Sequence, residues 1–326
     1  MKAMTMKKPK QKSMQTARRA QTIFYICVIA IPLLNFVVLQ FYQNYLYAFI
    51  FSIQKYDYTK GDYVFTSDVF YNFRNFFQTI SGDPRWKAAF GVSIKSYLIG
   101  WVTSTPISLL IPFYIYRKFW GTKLFKFILM MPSMIASVVW TSVFLTFSET
   151  ALVELLGLQF GPFSNPDTQF AAMTIRGLWT GMAGSMLVYT GTLSGISDSV
   201  LDAGKIDGLT PAGELIYLAI PRLWPIFSVG IFTGISGIFT GYGNVLELFG
   251  YDAGPKVATV GYLMFTVVLN GGTVDSYGFN AAGSLVLTFG LLPMVFLLKS
   301  IVERFGPTEE ERQPIEWFWN KWRKNS

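Results

Sequence analysis

Asp202-Ala203-Gly204-Lys205-Ile206-Asp207-Gly208, continuing through Gly213 to Ile220-Pro221 and Pro225, is a polar, partly acidic stretch between two apolar segments. Each flanking segment is long enough to cross a bilayer, which takes about 20 mostly apolar residues. A hydrophilic hairpin in that position suits a docking surface for a soluble protein better than a catalytic centre. Asp202 near a helix start is favoured by the helix dipole and can cap exposed amides. Gly208 tolerates positive φ and so permits a sharp bend. Pro211 fits the first turn of a second short helix, where its missing N–H costs little. Leu215, Leu218 and Ile220 then supply an apolar face able to press into a groove. The competing reading is an ordinary amphipathic connector between two spans.

Composition narrows the class. The 326 residues are 52% hydrophobic and 17% aromatic but only 14% charged, against roughly 25% charged in a soluble domain. That excess of apolar surface calls for lipid. The single Cys27 excludes a disulfide framework and a thiolate-cluster metal site. The chain has no histidine, which removes the commonest general base and metal ligand near neutral pH. No P-loop occurs: Gly208 and Gly213 have the right spacing, but Glu214 stands where the phosphate-binding lysine belongs. These residues read as an integral membrane protein with no catalytic chemistry, no metal and no cofactor of its own.

Six stretches qualify as spans: 23–51, 92–116, 124–147, 170–196, 225–249 and 278–302. A seventh apolar run, 257–269, is too short and reads as interfacial or partly inserted. The expected fold is therefore all-α and polytopic, with the polar loop 198–222 between the fourth and fifth helices. Placing both termini inside puts 19 of the 27 basic residues on the cytoplasmic side, including Arg117, Lys118, Lys123, Lys205 and Arg222. The acids do not share the bias, as the positive-inside pattern requires. The polar loop is then cytoplasmic.

Residues 1–21 read as a basic cytoplasmic leader, 22–306 as the six-helix domain and 307–326 as a cytoplasmic tail. The first apolar run is too long for a cleaved signal and lacks a small-residue cleavage site. Phe24-Tyr25-Ile26 before Cys27 excludes a lipid-attachment signal. The outer connection 52–85 mixes Tyr, Phe and Asp with turn formers and reads as a small cap. In the tail, Trp317, Phe318, Trp319 and Trp322 mix with Arg312, Lys321, Arg323 and Lys324. That mixture suits a helix at the lipid surface; a frayed basic tail is the alternative.

With these residues in place, the chain resembles the inner-membrane permease subunits of binding-protein-dependent ABC importers of the carbohydrate-uptake class. The family's cytoplasmic motif runs Glu-Ala-Ala, two residues, Asp-Gly-Ala, then a helix ending in Leu-Pro. Here Asp202-Ala203-Gly204 stands for Glu-Ala-Ala, Asp207-Gly208 matches directly, and Ile220-Pro221 closes the motif. Trp179, Tyr189, Gly191, Leu193, Ile196 and Leu201 look like the fourth core helix entering the loop. Asn72-Phe73-Arg74-Asn75-Phe76-Phe77, Tyr116-Arg117-Lys118, Pro132 with Trp140, and Gly254-Pro255 also fall in family-like positions. The likeness runs from about Phe24 to Arg304.

Three departures stand out: Asp202 for Glu, Gly204 for Ala, and Leu209 for the Ala after Asp-Gly. The first keeps the charge. Gly204 inside a helix costs about 1 kcal/mol relative to Ala and implies a less rigid docking helix.

The resemblance implies a type I importer fold in a bacterial plasma membrane. It implies ATPase coupling through Asp202, Ala203, Gly204, Asp207, Gly208, Leu215 and Pro221. It also implies a second, similar permease, two ATPase subunits that bind ATP and magnesium, an extracytoplasmic solute-binding protein, surrounding lipid and no nucleic acid. Thr240, Tyr242, Asn244 and Glu247 on the fifth span, with Tyr189, are the expected substrate-pathway residues. Their hydroxyl, amide, carboxylate and aromatic groups suit sugars; helix–helix hydrogen bonding is the rival role. Lys95 either faces the pathway or snorkels to headgroups, the latter being the commoner behaviour.

Thr259-Val260-Gly261-Tyr262 and Thr240-Gly241-Tyr242-Gly243 imitate a potassium filter, but the first runs into Leu263 and the second lacks the valine. Arg176 alone on the fourth span makes no voltage sensor. A secondary transporter is the stronger rival, although no internal repeat is evident and the spans carry few charges. A membrane enzyme finds no clustered carboxylates in apolar context.

Overall fold

A computed structural model describes residues 11–270 and 275–307. The leader before residue 11 and the aromatic-basic tail from residue 308 lie outside the described residues. Two compact units emerge: Met1–Asn75 with Tyr277–Leu285, and Phe76–Ser276 with Val286–Ser326.

In the first unit, α1 (Gln11–Asn35) passes through a π-helical stretch, Phe36–Leu46, into α2 (Tyr47–Ser52). Ile23, Ile31, Leu34 and Phe36 are all exposed. A helix apolar on every side and open on every side is built to face lipid. The outer connection adds a short β-hairpin to the helical fold. β1 (Gln54–Asp57) and β2 (Asp62–Phe65) form an antiparallel hairpin with Gln54 opposite Phe65 and Asp57 opposite Asp62. Gly61 takes the turn's positive φ of 67°. Asp57 accepts from the Thr59 amide at 2.9 Å, closing the turn from the side chain. Asn72, in α3 (Tyr71–Gly82), is buried and donates to the carbonyls of Ser52 and Gln54 at 3.0 and 2.7 Å. It thereby satisfies the carbonyls left open where α2 ends.

The second unit opens with α4 (Pro84–Tyr116), capped by Asp83, whose carboxylate accepts from the Arg85 amide at 2.8 Å. The expected third span is two helices, α5 (Thr122–Met134) and α6 (Ser137–Thr146), parted where Ile135 and Ala136 turn extended. α6 runs through a π-turn, Phe147–Ala151, into α7 (Leu152–Leu156), whose end Gly157 caps with φ 61°. α8 (Gln169–Leu193) is continuous and packs along α4.

The polar loop forms α9 (Asp198–Ile206) and α10 (Pro211–Glu214). A π-turn, Leu215–Ala219, then leads into α11 (Ile220–Ser236). The expected fifth span also breaks. Gly230, Gly234, Gly237, Gly241 and Gly243 recur along it, and a glycine costs about 1 kcal/mol in a helix interior. The chain leaves the helix after Ser236 and re-enters as α12 (Gly243–Phe249). α13 (Val260–Asn270) and α14 (Asp275–Phe305) follow.

Among the described residues, five helices are long and apolar enough to cross a membrane: Arg19–Ser52, Pro84–Tyr116, Ser137–Leu156, Pro211–Ser236 and Ser276–Val302. The expected count was six. α8 has the length, but glycines, threonines and Arg176 dilute its apolar character.

The two filter-like stretches are packing elements. A Cβ on Gly261 would fall 2.7 Å from the Thr240 carbonyl carbon, so this glycine lets α13 begin directly against the turn that follows α11. Thr259 donates to the Gly241 carbonyl at 2.7 Å and Ser93 Oγ accepts from the Val260 amide at 3.0 Å. Tyr262 is buried and donates to the Gly250 carbonyl at 3.0 Å.

Candidate functional site

The polar loop is a rigid bracket. α9 ends with the Gly208 amide donating to the Lys205 carbonyl at 3.1 Å and the Leu209 amide donating to the Gly204 carbonyl at 2.8 Å. Gly208 carries φ 80°. This paired closure is the glycine-terminated helix end that satisfies orphan carbonyls. One residue on, Thr210 Oγ1 accepts from the Gly213 amide at 3.2 Å and Pro211 opens α10. Both turns around Asp207-Gly208 are thus capped by local chemistry.

Gly204 is not a soft point. It is buried, and a Cβ there would meet Leu209 Cδ2 at 2.8 Å. The two departures from the family motif are one packing solution: the larger Leu209 occupies the space that the glycine vacates. Asp202 also differs from expectation. Asp198 occupies the first turn of α9, while Asp202 lies mid-helix and accepts from Lys205 Nζ at 2.8 Å.

The bracket is fixed to the ends of two long helices. Phe113 of α4 and Tyr189 and Leu193 of α8 form one buried cluster with Leu218, Ala219 and Leu223. Leu209 and Leu215 pack on its edge. Leu215 and Leu218 therefore face their own bundle rather than a partner's groove, a correction to the expected outward face. The outward surface carries Asp202, Ala203, Asp207 and Ile206, the last 87% exposed. Tyr189 belongs to this cluster.

Arg117, capping α4, reaches Glu214 of α10 at 2.6 Å, and Glu214 is buried. The sequence marked Glu214 only as the residue that rules out a P-loop and Arg117 only as one of the basic residues near the Tyr116-Arg117-Lys118 resemblance; nothing in it pointed to their pairing. Their pairing ties loop to helix across 97 positions of chain. Pro221, also buried, follows the π-turn in which the Ile220 amide donates to the Leu215 carbonyl. A π-turn beside a proline redirects a helix without breaking it.

Away from the loop, α4 and α8 bound a cavity of about 380 Å³ lined by Ser96, Ser104, Ser108, Gly177, Ser185 and Asn244 among others. A second cavity of about 290 Å³ shares Ser96, Met173 and Asn244 with it and reaches Tyr242. Asn244 and Tyr242 thus line open space as expected. Tyr242 stacks on Phe265 with ring centroids 4.5 Å apart. Thr240 lines neither cavity; its backbone lies under Gly261.

Glu247 is not an open lining carboxylate either. It accepts from Ser137 Oγ at 2.7 Å, from Thr141 Oγ1 at 3.2 Å and from Arg176, which also donates to Thr141 and to Asn244 Oδ1. Arg176 is 4% exposed. A buried guanidinium needs such a partner, since an isolated charge there would cost several kcal/mol. Lys95 Nζ lies 4.4 Å from the centroid of the Phe170 ring, a cation–π contact.

Comparison with known proteins adds the following. No protein-family model matches the chain. The lactose transport system permease protein LacF of Rhizobium radiobacter is 27% identical over 144 residues, 44% of this chain and 47% of that protein. The match thus spans about half of that relative's length. One similar solved structure is that of a bacterial ABC transporter involved in the import of the acidic polysaccharide alginate. It aligns with a TM-score of 0.69 at 14% identity, over 88% of this chain and 99% of that chain. A second is a bacterial alginate ABC transporter in complex with an alginate pentasaccharide-bound periplasmic protein. It gives 0.68 at 13% identity, over 90% of this chain and 98% of that one. The chain shares the fold of those multi-pass transporter chains.

Proposed function

We propose that this chain is a pore-forming permease subunit of an ATP-driven carbohydrate importer. The observation that carries the reading is the conjunction of a near full-length fold likeness to ABC-transporter chains with a rigid, solvent-facing bracket at residues 198–222. A bracket of this kind can transmit force because its contacts are packed and paired, so a push on Ile206 and Asp207 moves the ends of α4 and α8 together.

In this reading the chain hydrolyses nothing. Two ATPase subunits bind ATP and magnesium beneath the membrane, and a second, similar permease completes the pore. An extracytoplasmic binding protein delivers the solute. Both termini and the bracket are cytoplasmic, in a bacterial inner membrane, which is where the bias of basic residues puts them. Closure of the ATPases drives the bracket and rocks the helices between inward-open and outward-open arrangements. The lactose named for the relative and the alginate named for the two structures support a carbohydrate cargo.

The test is affinity purification of the tagged chain from its native membrane. An ATPase subunit and a second permease should copurify, and the reconstituted complex should couple ATP hydrolysis to sugar uptake. Solute accumulation by the chain alone, without a nucleotide-hydrolysing companion, would refute the proposal.

A further inference from the structure

The geometry points to a binding site for an anionic phospholipid at the turn between α4 and α5. An acyl chain lies in the groove between the two helices, and Lys118 and Lys123 hold the phosphate. The site goes beyond the importer reading and takes from it only the surrounding membrane and the side on which the bracket sits.

The groove is a space of about 740 Å³ walled by Leu110 and Tyr114 of α4, Leu124 and Ile128 of α5, and Phe119 and Trp120 of the turn. It exists because α5 packs on α8 more than on α4. Ile115, Leu129 and Met186 from those three helices form a buried cluster, and Tyr114 packs against it. The Tyr114 hydroxyl also donates to the Trp120 carbonyl. Its ring meets Phe119 and Phe125 with centroids 5.2 and 5.6 Å apart. The floor is therefore fixed, and its one hydroxyl is already satisfied. What remains is an apolar wall that asks its occupant for no hydrogen bond. A hydrocarbon chain meets that condition, since it has no polar group to satisfy.

Charge at the mouth selects the headgroup. The turn runs Arg117-Lys118-Phe119-Trp120-Gly121-Thr122-Lys123, and no acidic residue occurs between Asp83 and Glu149. Glu214 takes the charge of Arg117. Lys118 and Lys123 are exposed and form no ion pair among the described residues. Lys118 has φ 51°, a positive value shared by no other described residue except glycines. That conformation is uncommon for a lysine; it turns the chain back at the end of α4 and sets Lys118 beside the lining Phe119. Trp120 is 94% exposed, as suits an indole at headgroup level. A zwitterionic headgroup would bring its own cation to these lysines, whereas an anionic one brings only the phosphate they lack. Phe113 lines the groove and also belongs to the buried cluster that holds the bracket. A seated lipid thus braces the bracket's anchor.

Trp120 supplies the readout. The intact complex is placed in phosphatidylcholine vesicles that carry equal mole fractions of either dibrominated phosphatidylglycerol or dibrominated phosphatidylcholine. Subtracting the fluorescence of Trp120→Phe isolates this indole from the rest of the chain's 9 tryptophans. Bromine quenching of Trp120 should reach its midpoint at about tenfold less phosphatidylglycerol than phosphatidylcholine, because each lysine near an anionic lipid contributes about fivefold. Lys118→Gln with Lys123→Gln should abolish the preference, and Lys118→Arg with Lys123→Arg should keep it. Leu110→Phe with Ile128→Phe fills the groove from both walls and should abolish the preference with both lysines still present.

Equal quenching by the two lipids would mean ordinary contact with the bilayer. A preference that survives the filled groove would mean a basic surface without a site. No quenching by either would mean that another helix covers the groove. Each of these overturns the assignment and leaves the importer reading intact, which copurification of the ATPase tests on its own.

Discussion

Leu209 Cδ2 stands 2.8 Å from the point that a Cβ on Gly204 would occupy, and its Cδ1 stands 3.0 Å from the corresponding point on Gly213. The leucine is wedged between two glycines and locks the turn that joins α9 to α10. Gly204→Ala should therefore destabilise the loop by about 1–3 kcal/mol through overpacking, despite alanine's better helix propensity. Adding Leu209→Ala should recover part of that loss, giving a coupling of about 1 kcal/mol in a double-mutant cycle. Thermal unfolding of the purified complex is the measurement; strict additivity would refute the wedge.

Gly208 makes a second prediction through its backbone. At φ 80° a side chain with a β-branch is strained, while asparagine tolerates the left-handed region. Gly208→Val should cost at least about 1–2 kcal/mol and lower both ATPase-subunit retention and uptake. Gly208→Asn should keep most of both. Equal behaviour of the two variants would show that the bend is dispensable.

The pair between Arg117 and Glu214 should be asymmetric in its response. Glu214 is nearly buried, whereas Arg117 keeps 28% of its side chain exposed. Removing the arginine strands a buried carboxylate at a cost of about 3–5 kcal/mol. Glu214→Gln leaves only a solvated arginine and should be much milder. The order can be read from melting temperatures at constant pH, and uptake per ATP hydrolysed should follow it.

Asn72→Ala tests the cap. Its amide serves the carbonyls of Ser52 and Gln54, and buried carbonyls stripped of a donor cost about 1–3 kcal/mol. The hairpin should become sensitive to an externally added protease between residues 52 and 70. Resistance equal to the parent protein would show that the clamp is redundant.

Much of the fold could be read from the chain because its signals are local. Long apolar runs marked most of the spans, and Gly208 with Pro211 marked the bend and the second short helix. Where expectation failed, the competing force was also identifiable. The third and fifth apolar runs are long enough to cross, yet extended Ile135 and Ala136 break one and clustered glycines break the other. Leu215 and Leu218 have the apolar spacing of a docking face, but periodicity does not say which side is solvent, and the bundle's own cluster claims them. Tyr189 and Glu247 had suitable chemistry for a sugar pathway. The first is packed in a cluster with Leu193 and the second is paired with Arg176, contacts that no local pattern announced.

The sequence by itself determined that this is a helical membrane protein with a polar, glycine-hinged loop and no histidine. Hydropathy, charge and backbone permissiveness are properties of neighbouring residues, so they need no fold to be visible. Only the tertiary structure decided that Gly204 exists for Leu209 and that Glu214 anchors to Arg117. It also decided that Arg176 spends its charge on Glu247 while orienting Asn244. Those partners lie 97, 71 and 68 positions apart for Arg117–Glu214, Arg176–Glu247 and Arg176–Asn244. Burial makes each pairing obligatory, yet which pairs meet is set by how the helices pack.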